Sequence, residues 1–241
     1  MTIDNRYYDG LGDAWWDPAG PMGLLLRMNR FRFGYFRHLL GDPKGVKLLD
    51  IGCGGGFLAE AFAARGADVY GLDLSTRSVR TARDHAAGQG LRLRVSSGRA
   101  EHLPFPSHTF EAVLLVDVLE HLHDYPLALS EASRVLKPGG RLLYETANRT
   151  FLSRVGAIWA AERVLRKIPV HSHDWEMFIR PPELLEALRV CGLQNEDLRG
   201  LGLKGGVLGF LLRVARGKDP WEFEIGGDTR VSYLGYAIKP G

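Results

Sequence analysis

The sequence predicts an α/β fold, a mostly parallel sheet with helices on both faces. Three observations predict it. Short apolar runs (47–51, 69–73, 112–116, 141–147) alternate with segments of helical periodicity. The runs are continuous rather than alternating, as in strands covered on both faces. The first run leads into a glycine-dense turn, Gly52-Cys53-Gly54-Gly55-Gly56, and the second ends in an acid, Asp73. Strand, turn, helix and strand there make one βαβ unit with its ligand-facing end marked.

In order, residues 1–23 are rich in aromatics (Tyr7, Tyr8, Trp15, Trp16) and broken by Pro18, Gly20, Pro21 and Gly23. Leu24 to Leu40 reads as a helix stopped by Gly41-Asp42-Pro43. The 47–51 strand follows, then the glycine turn and an alanine-rich helix. Ser75 is placed to N-cap a helix running to about Ala87. Leu91–Val95 reads as a third strand and Ala112–Val116 as a fourth. Pro126–Leu136 is helical, and Lys137-Pro138-Gly139-Gly140 is a tight turn into the strand Arg141–Ala147. Residues 151–168 interrupt the alternation with a helical apolar stripe. Pro181–Val190 is another helix, Asn195–Gly200 a candidate strand, and Val231–Ile238 a late strand. No repeat or linker divides the chain. The expectation is one domain over 1–241, with an N-terminal helical lid (1–45) and an inserted helical cap (149–182).

Composition is that of an ordinary globular chain: 241 residues, 45% apolar, 24% charged, net charge +3. No apolar run approaches a bilayer span, and the polar, acid-bearing start lacks the pattern of a secretory leader. Cys53 and Cys191 stand alone, so no disulfide framework or zinc spacing is available. A cytoplasmic location follows as an expectation. The charge is too small to argue for nucleic acid. Arginines cluster at 27, 30, 32 and 37 and again at 149–167, and such clusters ordinarily lie on solvated helix faces.

The glycine turn carries most of the chemistry. Gly52, Gly54 and Gly56 let the backbone approach a ligand at the carboxyl end of the first strand. Asp73, roughly 20 residues on, can accept the two hydroxyls of a ribose. The dinucleotide fingerprint G-x-G-x-x-G is not met, because Phe57 stands at its last position. Asp117, Glu120 and His121 follow the fourth strand at i, i+3, i+4, and one helical turn would put all three on one face. Two carboxylates and an imidazole can hold a divalent ion, which would acidify a bound hydroxyl. Without metal, His121 can act as general base. A capped pair of solvated acids beside a structural histidine is the plainer reading of the same residues. His173-Asp174 is not a serine triad, whose members converge in space rather than in sequence.

Leu49-Asp50-Ile51-Gly52-Cys53-Gly54-Gly55-Gly56 resembles the first motif of class I S-adenosylmethionine (SAM)-dependent methyltransferases. Gly98-Arg99-Ala100-Glu101 with Leu103-Pro104-Phe105, Phe110-Glu111-Ala112-Val113 and Leu136-Lys137-Pro138-Gly139-Gly140 resemble that superfamily's later motifs, in order. Trp15-Trp16-Asp17, Arg32-Phe33-Gly34-Tyr35, Leu119-Glu120-His121, Asn148-Arg149 and Val231-Ser232-Tyr233 resemble the ubiquinone-biosynthesis O-methyltransferases more narrowly. Asp117 departs from that pattern, which usually has Glu. The resemblance implies a Rossmann-like sheet of seven strands with the last antiparallel. It implies SAM contacts at Arg32, Gly52, Gly54, Asp73, Ala100, Glu101 and Val116, with Arg32 clamping the methionine carboxylate and Val116 offering backbone only. It favours magnesium at Asp117, Glu120 and His121, and a catechol on a polyprenylated ring as acceptor. A substrate that lives in a bilayer would suit a peripheral membrane contact through 151–168. Other readings stay open: methylation of another small molecule, a SAM-binding regulatory module, and a nucleotide-dependent oxidoreductase. Oligomeric state is left open.

Overall fold

The computed structural model describes residues 5–154 and 174–241. Its centre is an eight-stranded sheet. The strands are β1 (Lys47–Ile51), β2 (Asp68–Asp73), β3 (Arg94–Ser97), β4 (Phe110–Val116), β5 (Leu136–Ala147), β6 (Gln194–Leu203), β7 (Phe223–Gly226) and β8 (Ser232–Ile238). Their order is β3-β2-β1-β4-β5-β8-β6-β7. The first five run parallel. β8 enters antiparallel between β5 and β6, and β7 is antiparallel to β6. The strand order reverses at β1 and β4, which places a crevice at their carboxyl ends.

The helices are α1 (Asn5–Leu11), α2 (Gly23–Leu40), α3 (Phe57–Ala63), α4 (Thr76–Gly88), α5 (Tyr125–Val135), the short turn α6 (Phe151–Ser153), α7 (Pro181–Val190) and α8 (Gly206–Ala215). Strand side chains alternate between faces, and two cores result. Leu49, Val113, Leu115 and Leu142 face Leu129 of α5 and Leu184 of α7. Leu48, Ala112, Leu114 and Leu143 face Phe36 of α2 and Phe62 of α3. Each of these side chains is fully buried, which stabilises by about 1.5–3 kcal/mol per large aliphatic.

Local signals explain most boundaries. Ser75 Oγ accepts from Ser78 N–H at 3.0 Å and caps α4 as its sequence demands. Gly41 leaves α2 at φ 84. Three expectations need correction, and one element lies in a stretch that the sequence left unread. There are eight strands rather than seven, because β7 forms an extra edge. β3 begins at Arg94, three residues beyond the expected start, where the chain first reaches pairing distance of Tyr70. The Lys137–Gly140 stretch is not a turn before the strand. It lies within β5, and the register slips between Phe110 and Ala112 to absorb it. The stretch 204–222 holds a helix, α8, that the run of glycines at 205, 206 and 209 conceals. The proposed cap helix 151–168 lies outside the described residues beyond its first four, as does His173. Asp174 caps the single turn Trp175–Met177 by accepting from Glu176 N–H. No helix among the described residues is long and apolar enough to cross a membrane.

Candidate active site

The crevice opens into a cavity of about 970 Å³. All the cofactor candidates line it: Arg32, Gly52, Gly54, Asp73, Ala100, Glu101 and Val116. So do Asp117, Glu120 and His121. Residues far apart in sequence meet there because β1, β2 and β4 end side by side.

The glycine turn forms its floor. Gly52, Gly54 and Gly56 have φ of 72, 50 and 92, a region in which side chains are strained. Space is tight as well: a Cβ on Gly52 would lie 2.2 Å from Val118 Cγ2, and one on Gly54 2.5 Å from the Trp15 ring. Asp73 secures the turn. Its Oδ2 accepts from Gly54 N–H and its Oδ1 from Ser75 N–H, both at 2.8 Å. Burial raises its pKa, and those two N–H donors oppose the rise. Each carboxylate oxygen keeps a lone pair for a further donor. An acid so placed beside a Cβ-free cradle fits the ribose and amino-acid portions of a bound SAM.

The N-terminal aromatics, which the sequence placed in a lid without a contact partner, form a wall over this turn. The Trp15 ring packs on Gly54 and Gly55, and its Nε1 donates to Ser78 Oγ at 3.2 Å. Trp16 Nε1 donates to Gly55 O at 2.9 Å, and its ring stacks on His85 at 3.7 Å. Tyr8 stacks on Trp15 and lines the cavity, with its pKa raised by burial and then by the charges of Asp117 and Asp73. The signal was the density of Tyr and Trp before α2. What it lacked was any periodicity tying those rings to a partner.

Arg32 is 1% exposed, so it is no part of a solvated arginine face. Its Nη2 lies 2.7 Å from Asp117 and its Nε 2.5 Å from Glu145. Burial alone would lower its pKa, but the two carboxylates outweigh that and raise it. This pairing uses the charge that the sequence reading reserved for a methionine carboxylate. Glu145, also 1% exposed, was not singled out from the sequence. Burial raises its pKa and Arg32 pulls it back. Asp117 has φ 55, an uncommon left-handed conformation for a residue with a side chain. It leaves β4 without entering a helix, and its carboxylate pairs with Arg32.

The acidic-histidine cluster therefore differs from its expected geometry. Leu119–His121 is a 3₁₀ turn, and Asp117 lies outside it. Glu120 is buried, with its Oε2 accepting from Thr146 Oγ1 at 2.8 Å. Asp117 is held by Arg32. Among the described residues no three His, Cys, Asp or Glu side chains are disposed to hold a metal ion. The magnesium expectation gains no support, because two of its three ligands are turned to other partners. His121 remains on the cavity wall, half-buried.

Residues 49–144 match the family model described as a methyltransferase domain. A ubiquinone biosynthesis O-methyltransferase of Sinorhizobium medicae (strain WSM419) is 38% identical over 214 residues, covering 83% of this chain and 86% of the relative. One from Azorhizobium caulinodans is 36% identical over 238 residues, covering 94% and 89%. This chain belongs to the ubiquinone biosynthesis O-methyltransferase family. It is a SAM-dependent methyltransferase with the Rossmann-like class I fold. Solved structures agree on the fold. The magnesium protoporphyrin IX methyltransferase of Synechocystis PCC 6803, with bound SAH, superposes with a TM-score of 0.67 at 18% identity, over 98% of this chain and 97% of that one. A SAM-dependent methyltransferase from Aquifex aeolicus gives 0.65 at 18%, over 98% and 99%.

Proposed function

We propose that the enzyme methylates a catechol-type hydroxyl on a polyprenylated aromatic precursor of ubiquinone. The supporting observation is one cavity that contains both a cofactor cradle and His121, with room to spare. Its 970 Å³ is at the upper end of small-molecule sites, enough for the donor and an aromatic ring together. Relatives named for ubiquinone biosynthesis supply the acceptor class.

In this reading Asp73 takes the ribose hydroxyls, and Gly52 and Gly54 admit the amino-acid portion. Ala100 and Glu101 border the adenine, and Val116 lies beneath with its backbone. Bound SAM supplies an electrophilic methyl on a sulfonium sulfur. His121 accepts the proton of the acceptor hydroxyl as the new carbon–oxygen bond forms and the carbon–sulfur bond breaks. Arg32 keeps Asp117 and Glu145 in place and offsets part of the negative charge of the wall facing the acceptor. The Trp15 and Tyr8 rings exclude water from the transfer, and most of the acceleration comes from alignment.

Turnover of a water-soluble catechol, in wild type and His121→Ala, with and without EDTA, tests the roles. A kcat loss of about 100-fold in the variant is expected from losing a general base. SAH affinity should be unchanged, and EDTA should have no effect on the wild type. Equal rates in the two proteins would remove His121, and an EDTA-sensitive rate restored by magnesium would return a metal to the site.

A further inference from the structure

Behind the cofactor turn lies a chain of three side chains that the proposed chemistry does not use. The Trp16 and His85 rings stack with centres 3.7 Å apart and planes 5° from parallel. His85 Nδ1 lies 2.8 Å from Glu60 Oε1. Trp16 Nε1 reaches the other way, donating to Gly55 O in the turn itself. None of the three lines the cavity. Glu60 is buried in the first turn of α3, and among the described residues its side chain pairs with His85. Burying a carboxylate is costly. Burial pushes the Glu60 carboxyl up, and His85 pulls it back. Packing of α3 alone would be better served by a leucine, so packing does not account for this acid.

We propose that His85, held by Glu60, is a positioning residue for the cofactor site: it clamps Trp16 on the glycine turn and so keeps the N-terminal wall docked over bound SAM. The wall has two sides. Tyr7, Tyr8 and Trp15 form the inner one and line the cavity. The outer side is fastened to α4 and its cap. Ser75 Oγ donates to Asp9 Oδ1 at 2.6 Å, Trp15 Nε1 donates to Ser78 Oγ at 3.2 Å, and Trp16 stacks on His85. Positions 75, 78, 82 and 85 follow helical spacing and share one face. Ala82 on that face meets the turn as well, since a Cβ on Gly56 would lie 3.0 Å from its own Cβ. One helix face thus registers the wall and the turn against each other. Trp16 joins the two directly, because the ring that stacks on His85 also hydrogen-bonds Gly55. A wall docked in only a fraction of molecules would lower the apparent cofactor affinity by that fraction. The clamp therefore pre-organises the donor site without touching the donor.

The test compares wild type with His85→Ala, Trp16→Phe and Glu60→Gln in two measurements that need no acceptor: SAH affinity by calorimetry, and hydrogen exchange of the amides of residues 5–16 with and without SAH. His85→Ala should raise the SAH Kd about tenfold, as expected for losing one aromatic stack and the order it imposes. Exchange over 5–16 should quicken in the cofactor-free variant, and SAH should restore much of the protection. Trp16→Phe keeps a ring on His85 but loses the donor to Gly55, and should fall between. Glu60→Gln still offers an acceptor to His85 Nδ1 and should stay close to wild type. In a Trp16→Ala background His85→Ala should add nothing, because His85 acts through that ring. Full additivity would overturn the inference. So would unchanged exchange over 5–16 in His85→Ala, or faster exchange with SAH affinity intact. In turnover of a water-soluble catechol, KM for SAM should rise in His85→Ala while kcat at saturating SAM is retained; a lower kcat at unchanged KM would also overturn it. Failure of every protein on catechols, with the SAH results as expected, would instead overturn the acceptor and leave the clamp standing.

Discussion

Arg32 shows how one residue changes meaning with depth. On α2 it has arginine neighbours in sequence and carboxylates in space. Removing it would leave Glu145 buried without its cation beside the half-buried Asp117, and breaking a buried pair such as Arg32–Glu145 ordinarily costs about 3–5 kcal/mol. Asp50 is the complementary case, a buried acid without a cation. Burial, and then the neighbouring charge of Asp73, raise its pKa to about 7 from an ordinary 3.8. Below pH 3.8 the carboxyl is protonated in folded and unfolded chains alike and costs nothing. Between 3.8 and 7 the unfolded chain ionises first, so stability falls as pH rises. Above 7 the penalty is constant. Asp50→Asn should therefore melt like wild type near pH 3.5 and be the more stable protein at pH 8, by about 4 kcal/mol at most. Denaturant midpoints measured across that range check it. A difference independent of pH would mean that Asp50 is not held in its neutral form.

At the scale of elements, the glycine turn and the N-terminal aromatics act as one device. Gly54 leaves room for Trp15 and also adopts φ 50. Gly54→Ala should cost about 1–3 kcal/mol from backbone strain alone, and should also push the Trp15 ring off the turn. Expected results are a lower melting temperature, a red-shifted tryptophan emission and weaker SAH binding. Adding Trp15→Ala should relieve the clash but not the strain. Unchanged emission in the single variant would contradict this packing. The turn was legible in the sequence because glycine spacing and Asp73 obey local rules. The strands were legible because continuous apolar runs mark a doubly covered sheet. What pairs Trp16 with His85, or Arg32 with Glu145, was not legible, since those contacts depend on how α2, α4 and β5 dock. β7 and α8 were hidden for a related reason: glycines at 205, 206 and 209 read as breaks until the structure shows Gly209 serving as a close contact. The acid cluster was misread because a helical period was assumed where Asp117 turns left-handed.

The whole molecule is a sheet whose reversal point gathers a cofactor cradle, a buried charge network and a histidine into one cavity. An extra helix at its rim turns leucines outward. What leaves that cavity identifies the reaction. The direct measurement is the position of the label after incubation with methyl-labelled SAM and catechols of graded prenyl-tail length. The predicted product carries the label on a ring oxygen, and kcat/KM rises with tail length. Label on nitrogen or carbon, or transfer to tail-less acceptors alone, would contradict it.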